Sequence, residues 1–157
     1  METQDTEERG LATDCHVETA EGPVVIAETP NKGFAVLTRL PAGGLGFRQL
    51  IKLVRRGPVP LLRVELSSGH AVITARRHLF YRVGMDPVAA EELAAGDALE
   101  TAFRYPEGYH PTDAPAGEGD ASVRVVRVES AGEGEVMTGT VRDTHVLFVT
   151  AGVLCGE

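Results

Sequence analysis

Two cysteines, Cys15 and Cys155, and five histidines at positions 16, 70, 78, 110 and 145 are the side chains of this sequence best suited to covalent chemistry. A thiol beside an imidazole makes a nucleophile and a proton-transfer partner, and such pairs are commonly far apart in sequence. His78 stands in the stretch ITARRHLFY, residues 73 to 81, four residues after Thr74 and directly before an apolar run. It is either a proton donor or an ordinary histidine at the edge of a strand. Thr74 is either its helper or a β-former in a hairpin. Asp143-Thr144-His145 is a second polar group, either part of a site or a turn between strands. Cys15 is either a nucleophile or a half-buried strand cysteine.

Other chemistries find little support. The histidines are scattered and the cysteines lie at opposite ends, so no metal-ligand spacing appears and no metal or cofactor is expected. Gly43-Gly44-Leu45-Gly46 reads as a turn rather than a phosphate cradle. The acidic stretches at 118–120 and 133–135 lack the spacing of a calcium loop.

The 157 residues are enough for one domain with a real core. That core must be built from aliphatic residues, because Trp is absent and aromatics make up 5%. A formal net charge of -8 argues against nucleic acid or an anionic membrane as partner. The opening METQDTEERG is polar and acidic, so no signal or transit peptide is expected, and no apolar run reaches the length of a membrane helix. A cytoplasmic monomer is the expectation.

The elements that would position these residues are mostly strands. VETAEGPVVIAE reads as two strands around a turn at Glu21-Gly22-Pro23, and GFAVLTRL as a third. RQLIKLVRR is read as a strand bounded by Gly43-Gly44 and Gly57-Pro58. PLLRVELSS and HAVITA form a hairpin around Gly69, followed by HLFYRV. DPVAAEELAAGD is the one helical segment, with Asp86 as N-cap, Pro87 at the first position and Gly96 as its stop. ALETAFRY is a further strand, residues 105 to 121 a loop, and SVRVVRVESA, EVMTGTVRD and HVLFVTAGVLC three closing strands. The prediction is an all-β domain of roughly ten short, mostly antiparallel strands with one short helical segment.

In order and spacing these pieces resemble the Hint domain, the self-processing fold shared by inteins and the C-terminal part of hedgehog proteins. GLATDCHVETAEGPVVIAE resembles its first block, with Val17, Thr19, Gly22 and Ile26 in place. Gly69, His78, Glu92-Leu93 and Gly96-Asp97 fit the second block and its sequel. Val141, Asp143, Thr144, His145 and Gly152 to Leu154 match the last two strands. The resemblance spans residues 10 to 157, leaving 1–9 as a flexible arm. The 105–121 loop lies where splicing members can carry an endonuclease and is too short for one.

The resemblance implies a compact disc whose two ends meet at the site. It also implies an intramolecular reaction on the flanking polypeptide: a side-chain nucleophile converts the junction amide to a thioester while the block histidine, His78, protonates the leaving nitrogen. Thr74 would be a displaced helper, and Asp143 with His145 the final-block pair. Gly10 occupies the nucleophile position, Ala75 that of the block threonine, and Gly156-Glu157 that of the closing His-Asn. Cys15 is five residues past the nucleophile position. The expectation is therefore autoprocessing, by self-cleavage or splicing, impaired by Gly10. The alternatives are a catalytically inactive β-domain that binds a protein or peptide, and a Cys–His thiol hydrolase. On the Hint reading His78 should approach Gly10, and Cys15 should lie near Cys155.

Overall fold

A computed structural model describes residues 9–28, 34–42, 44–101, 123–149 and 152–156. Twelve strands make one hydrogen-bonded antiparallel network: β1 (Leu11–Ala12), β2 (His16–Thr19), β3 (Gly22–Val25), β4 (Phe34–Arg39), β5 (Leu45–Leu66), β6 (Ala71–Ala75), β7 (Leu79–Arg82), β8 (Asp86–Ala89), β9 (Ala98–Leu99), β10 (Val123–Val141), β11 (Val146–Phe148) and β12 (Leu154–Gly156). Their spatial order is β11-β12-β7-β9-β10-β1-β6-β5-β4-β2-β3, with β8 beside β7 and β10 also beside β5. The all-β expectation holds. The loop expected at 105–121 lies outside the described residues.

Three local expectations are corrected. The helix over DPVAAEELAAGD is absent: Asp86–Ala89 pairs with Leu79–Arg82 as a hairpin, and only Ala90–Glu92 turns, as a 3-10 turn. Pairing with β7 buries Val88 and Ala89 and overrides the local capping signals. The expected breaks at Gly57-Pro58 and around Gly132 and Gly134 are not strand ends. β5 runs for 22 residues and β10 for 19, paired from Leu50↔Val141 to Leu66↔Val125, and register shifts absorb the irregular residues. HVLFVTAGVLC, read as one strand, is the β11–β12 hairpin with Leu147 opposite Cys155.

The spacing Thr-x-x-Gly acquires a physical cause. The Thr19 hydroxyl donates to the Gly22 carbonyl at 2.6 Å and accepts the Glu21 N–H at 3.0 Å, closing the β2–β3 turn. Gly96-Asp97 acts likewise: the Asp97 carboxylate accepts the Ala94 N–H at 2.9 Å, while Gly96 donates to and Asp97 accepts from the Val125 backbone.

The main core joins Leu11, Val17, Leu50, Val64, Phe80 and Leu147, among others. A small separate cluster of Leu61, Ala75 and Val136 lies where β5, β6 and β10 meet. β1, only two residues long, is inserted between β10 and β6, with Leu11 opposite both Met137 and Thr74. That insertion fixes where the chain before Leu11 must run.

Candidate functional site

β6 ends at Ala75, Arg76 and Arg77 form a turn, and His78 follows at the entrance to β7. The turn is closed by His78 N–H to the Ala75 carbonyl at 3.2 Å. It is braced by Ala90 N–H to the His78 carbonyl at 2.9 Å and Glu91 N–H to the Arg76 carbonyl at 3.0 Å. The arginines are therefore the turn that aims His78 inward, with Arg77 paired to Glu91 at 3.2 Å.

His78 is 1% exposed. Its Nδ1 accepts the backbone N–H of Gly10 at 3.1 Å, the amide of the Arg9–Gly10 bond. The Gly10 carbonyl in turn accepts the Ala75 N–H at 3.0 Å. Accepting at Nδ1 places the proton of the neutral ring on Nε2. Among the described residues the buried Nε2 has no partner in hydrogen-bonding geometry. The ring packs edge-on against Phe80, with centroids 6.2 Å apart. Burial first, and the Arg9 guanidinium second, push the His78 pKa down from 6.5 to about 3. The Gly156 carbonyl acts in the opposite sense, favouring the charged ring without reaching hydrogen-bonding geometry at Nε2. Both ends of the described chain thus converge on one imidazole.

Gly10 has φ +130, a backbone conformation that L side chains rarely adopt. A Cβ there would meet Val136 Cγ2 at 2.8 Å, Val136 Cβ at 2.9 Å and the Met137 carbonyl oxygen at 3.0 Å. The Gly10 backbone is hydrogen-bonded on both sides, and the space where a side chain at position 10 would begin is filled.

The remaining candidates fall elsewhere. Thr74 is fully buried, stands opposite Leu11, and its hydroxyl donates to the Ala75 carbonyl at 2.9 Å. Asp143 and His145 lie exposed in the turn between β10 and β11, with φ of +69 and +61. Asp143 faces Arg48 at 3.4 Å, and the His145 N–H donates to the Val141 carbonyl. Between them, Thr144 bonds to the buried Thr38 hydroxyl at 2.7 Å, which ties this turn to β4.

Cys15 is half-buried beside a cavity of about 260 Å³ that Asp14, His16 and His70 also line. Burial first and Asp14 second push its thiol up to about 12. A thiol so shifted stays protonated at neutral pH, the opposite of an activated nucleophile. Cys155 is buried, and its thiol is pushed up by burial and then by nearby Cys15. Both cysteines are free, and both pack into the main core cluster. Among the described residues no group of three or more His, Cys, Asp or Glu side chains is arranged to hold a metal ion.

Sequence reasoning missed Val136, which no motif singles out, and the buried Glu100. The Glu100 carboxylate accepts the Gly84 N–H at 2.7 Å and the Met85 N–H at 3.3 Å, and faces Arg39 at 3.8 Å. It holds the β7–β8 turn.

The architecture is similar to that of solved intein and intein-like domains. A bacterial intein-like domain from Clostridium thermocellum is similar, at 19% identity over 96% of this chain and 99% of its own, with a TM-score of 0.74. A DnaB intein from Synechocystis sp. PCC 6803 matches at 15% identity, over 95% and 98%, with a TM-score of 0.74. The gp41-1 intein matches at 16% identity, over 95% and 98%, with a TM-score of 0.69. Likeness at such identities establishes an intein-like Hint fold. No protein-family profile and no curated protein matches the sequence. Among the described residues no helix is long and apolar enough to cross a membrane.

Proposed function

We propose that the chain is an intein-type autoprocessing domain directed at its own Arg9–Gly10 bond, with the flanking polypeptide as its partner, and that Gly10 leaves the reaction impaired. The observation that carries this is the 3.1 Å contact between His78 Nδ1 and the junction N–H. Breaking an amide needs a proton on the departing nitrogen, because an amide anion is too poor a leaving group. An imidazole already bonded to that nitrogen is placed to supply one after it has itself been protonated, which gives roughly 10²–10⁴-fold help.

With a thiol at position 10, sulfur would attack the Arg9 carbonyl carbon and give its proton to the neutral His78 ring, and His78 would pass that proton to the residue-10 nitrogen as the C–N bond breaks, leaving a free amine. An Arg9 thioester results. An added thiol then takes the acyl group and restores the residue-10 thiol. Glycine supplies no such atom, so the sequence as it stands keeps residues 1–9 attached. Gly10 and Ala75, both without a reactive side chain, also favour a second reading, a catalytically inactive β-domain that binds a protein or peptide.

The test is Gly10→Cys, alone and combined with Val136→Ala or Val136→Gly, followed by mass spectrometry with and without dithiothreitol. Thiol-dependent loss of residues 1–9 in at least one variant, abolished by His78→Ala, is expected. Folded variants that all keep residues 1–9 would overturn the autoprocessing reading and leave the binding one.

A further inference from the structure

Impairment of the junction has a second layer, beyond the missing thiol. Val136 is fully buried in the small cluster with Leu61 and Ala75, and a Cβ on residue 10 would meet its Cγ2 at 2.8 Å and its Cβ at 2.9 Å. Contacts that short must be relieved. Rotating the valine moves only its methyl groups. Its Cβ is fixed to the β10 backbone, which is paired with β1 on one side, Ala12 opposite Val136, and with Arg56 of β5 on the other. A carbonyl oxygen, that of Met137, closes a further direction at 3.0 Å. The chain at Gly10 has no free slack either, since its N–H is held by His78 and its carbonyl by Ala75.

We infer that Val136 is the positioning residue that fixes glycine at position 10, sealing the junction by packing so that restoring a thiol there is not enough to restore processing. This rests on the reading of Arg9–Gly10 as the processing junction. Neighbouring residues point the same way. Ala75, which has no hydroxyl, and Leu61 pack with Val136 in one apolar cluster. The Gly10 amide is bonded to the His78 ring on one side while Val136 and its cluster pack on the other.

Two measurements separate the inference from the reading beneath it. The first compares dithiothreitol-dependent release of residues 1–9 from Gly10→Cys and from its double variants with Val136→Ala, Val136→Gly and Val136→Thr. Alanine removes Cγ2 and keeps Cβ, glycine removes both, and threonine keeps the valine shape. Release is expected to rise from valine through alanine to glycine, by at least about tenfold overall, with threonine at the valine level. Equal, measurable release in all four overturns the inference while leaving the junction assigned. The second is independent of chemistry: a thermal-unfolding cycle of Gly10→Ala in Val136, Val136→Ala and Val136→Gly backgrounds. The midpoint loss caused by Gly10→Ala should be about 5 °C or more with valine present and should shrink stepwise through alanine to glycine. The same loss in all three backgrounds overturns the inference even if no variant releases the arm. A graded loss with no release in any folded variant keeps Val136 as the residue that fixes Gly10 and removes the processing reading instead. Should the Val136→Gly variant fail to fold, the comparison of valine with alanine decides the cycle.

Discussion

The proposed junction at Gly10 and the turn between β10 and β11 both place the backbone at positive φ, and they solve that problem in opposite ways. At the junction the residue is glycine, buried, with hydrogen bonds on both sides and no room for a Cβ. At the turn Asp143 and His145 hold φ of +69 and +61 while exposed to water. Asp tolerates the left-handed region well because its short side chain can bond locally. Packing therefore closes one position to a side chain, while at the other the side chains have room in water. Although both segments resemble functional blocks of the same fold, only the first presents a buried titratable group to a peptide bond.

The largest expected difference is in acid. His78 has a folded pKa of about 3 against an ordinary 6.5. Between those values the unfolded chain binds the proton and the folded one does not, so this contribution is complete above pH 6.5 and is lost as the pH falls towards 3. The slope is about 1.4 kcal/mol per pH unit, several kcal/mol across the window. Urea unfolding of the unmodified protein and of His78→Gln, run from pH 7 to 5, should give curves that diverge with that slope, the unmodified protein falling faster. Carboxylates contribute equally to both proteins and cancel. Parallel curves would mean that the ring is charged or solvated in the folded state.

Next comes the cost of removing the ring at neutral pH. His78→Ala leaves the Gly10 N–H buried without an acceptor, which costs about 1–3 kcal/mol, and it opens a cavity against Phe80. It also removes the unpartnered Nε2, a partial offset. A net loss of about 3 kcal/mol is expected. His78→Gln, which can present an amide oxygen to the same N–H, should lose less than half of that. Equal losses for the two variants would show that packing, not the junction hydrogen bond, is what the ring supplies.

The contrast also marks what the sequence could tell. Strand content was legible because Val, Ile and Leu alternate through most of the chain, and Thr19, Gly22, Gly96 and Asp97 carry turn chemistry that depends on near neighbours only. His78 could be placed against Gly10 because three ordered blocks imply a topology. Long-range pairing was not legible. Gly57-Pro58 and Gly132 to Gly134 look like strand ends locally, yet β5 and β10 run through them because each is the other's partner. The helix at 86–97 failed for a related reason: Asp86 and Pro87 are good helix starters, and a hairpin with β7 outweighed them. Val136 was invisible, since its importance lies in one contact with a residue 126 positions earlier (136 − 10) that has no side chain of its own.

The smallest effect is expected at the exposed turn, and it tests the contrast most directly. Asp143→Gly removes the ion pair with Arg48, whose partners are 37% and 74% exposed. An exposed pair of this kind contributes at most about 1 kcal/mol. Glycine at φ +69 relieves a left-handed penalty but carries extra entropy in the unfolded chain, a cost of about 0.5–1 kcal/mol. These terms oppose one another, so the urea midpoint should stay within about 0.5 kcal/mol of the unmodified protein. Asp143→Ala loses the same ion pair and gains no relief, since alanine has a Cβ and no local hydrogen bond to favour positive φ. It should cost about 1 kcal/mol. The order of stability at the turn is then Asp, closely matched by Gly, above Ala. At the junction the same exchange of glycine for alanine should cost several times more, because the added carbon meets Val136 rather than water. If Gly10→Ala and Asp143→Ala cost the same amount, positive φ alone sets both penalties and the junction is not packed against a side chain at position 10. If Asp143→Gly costs as much as Asp143→Ala, the Asp143 side chain anchors the turn rather than merely having room there in water.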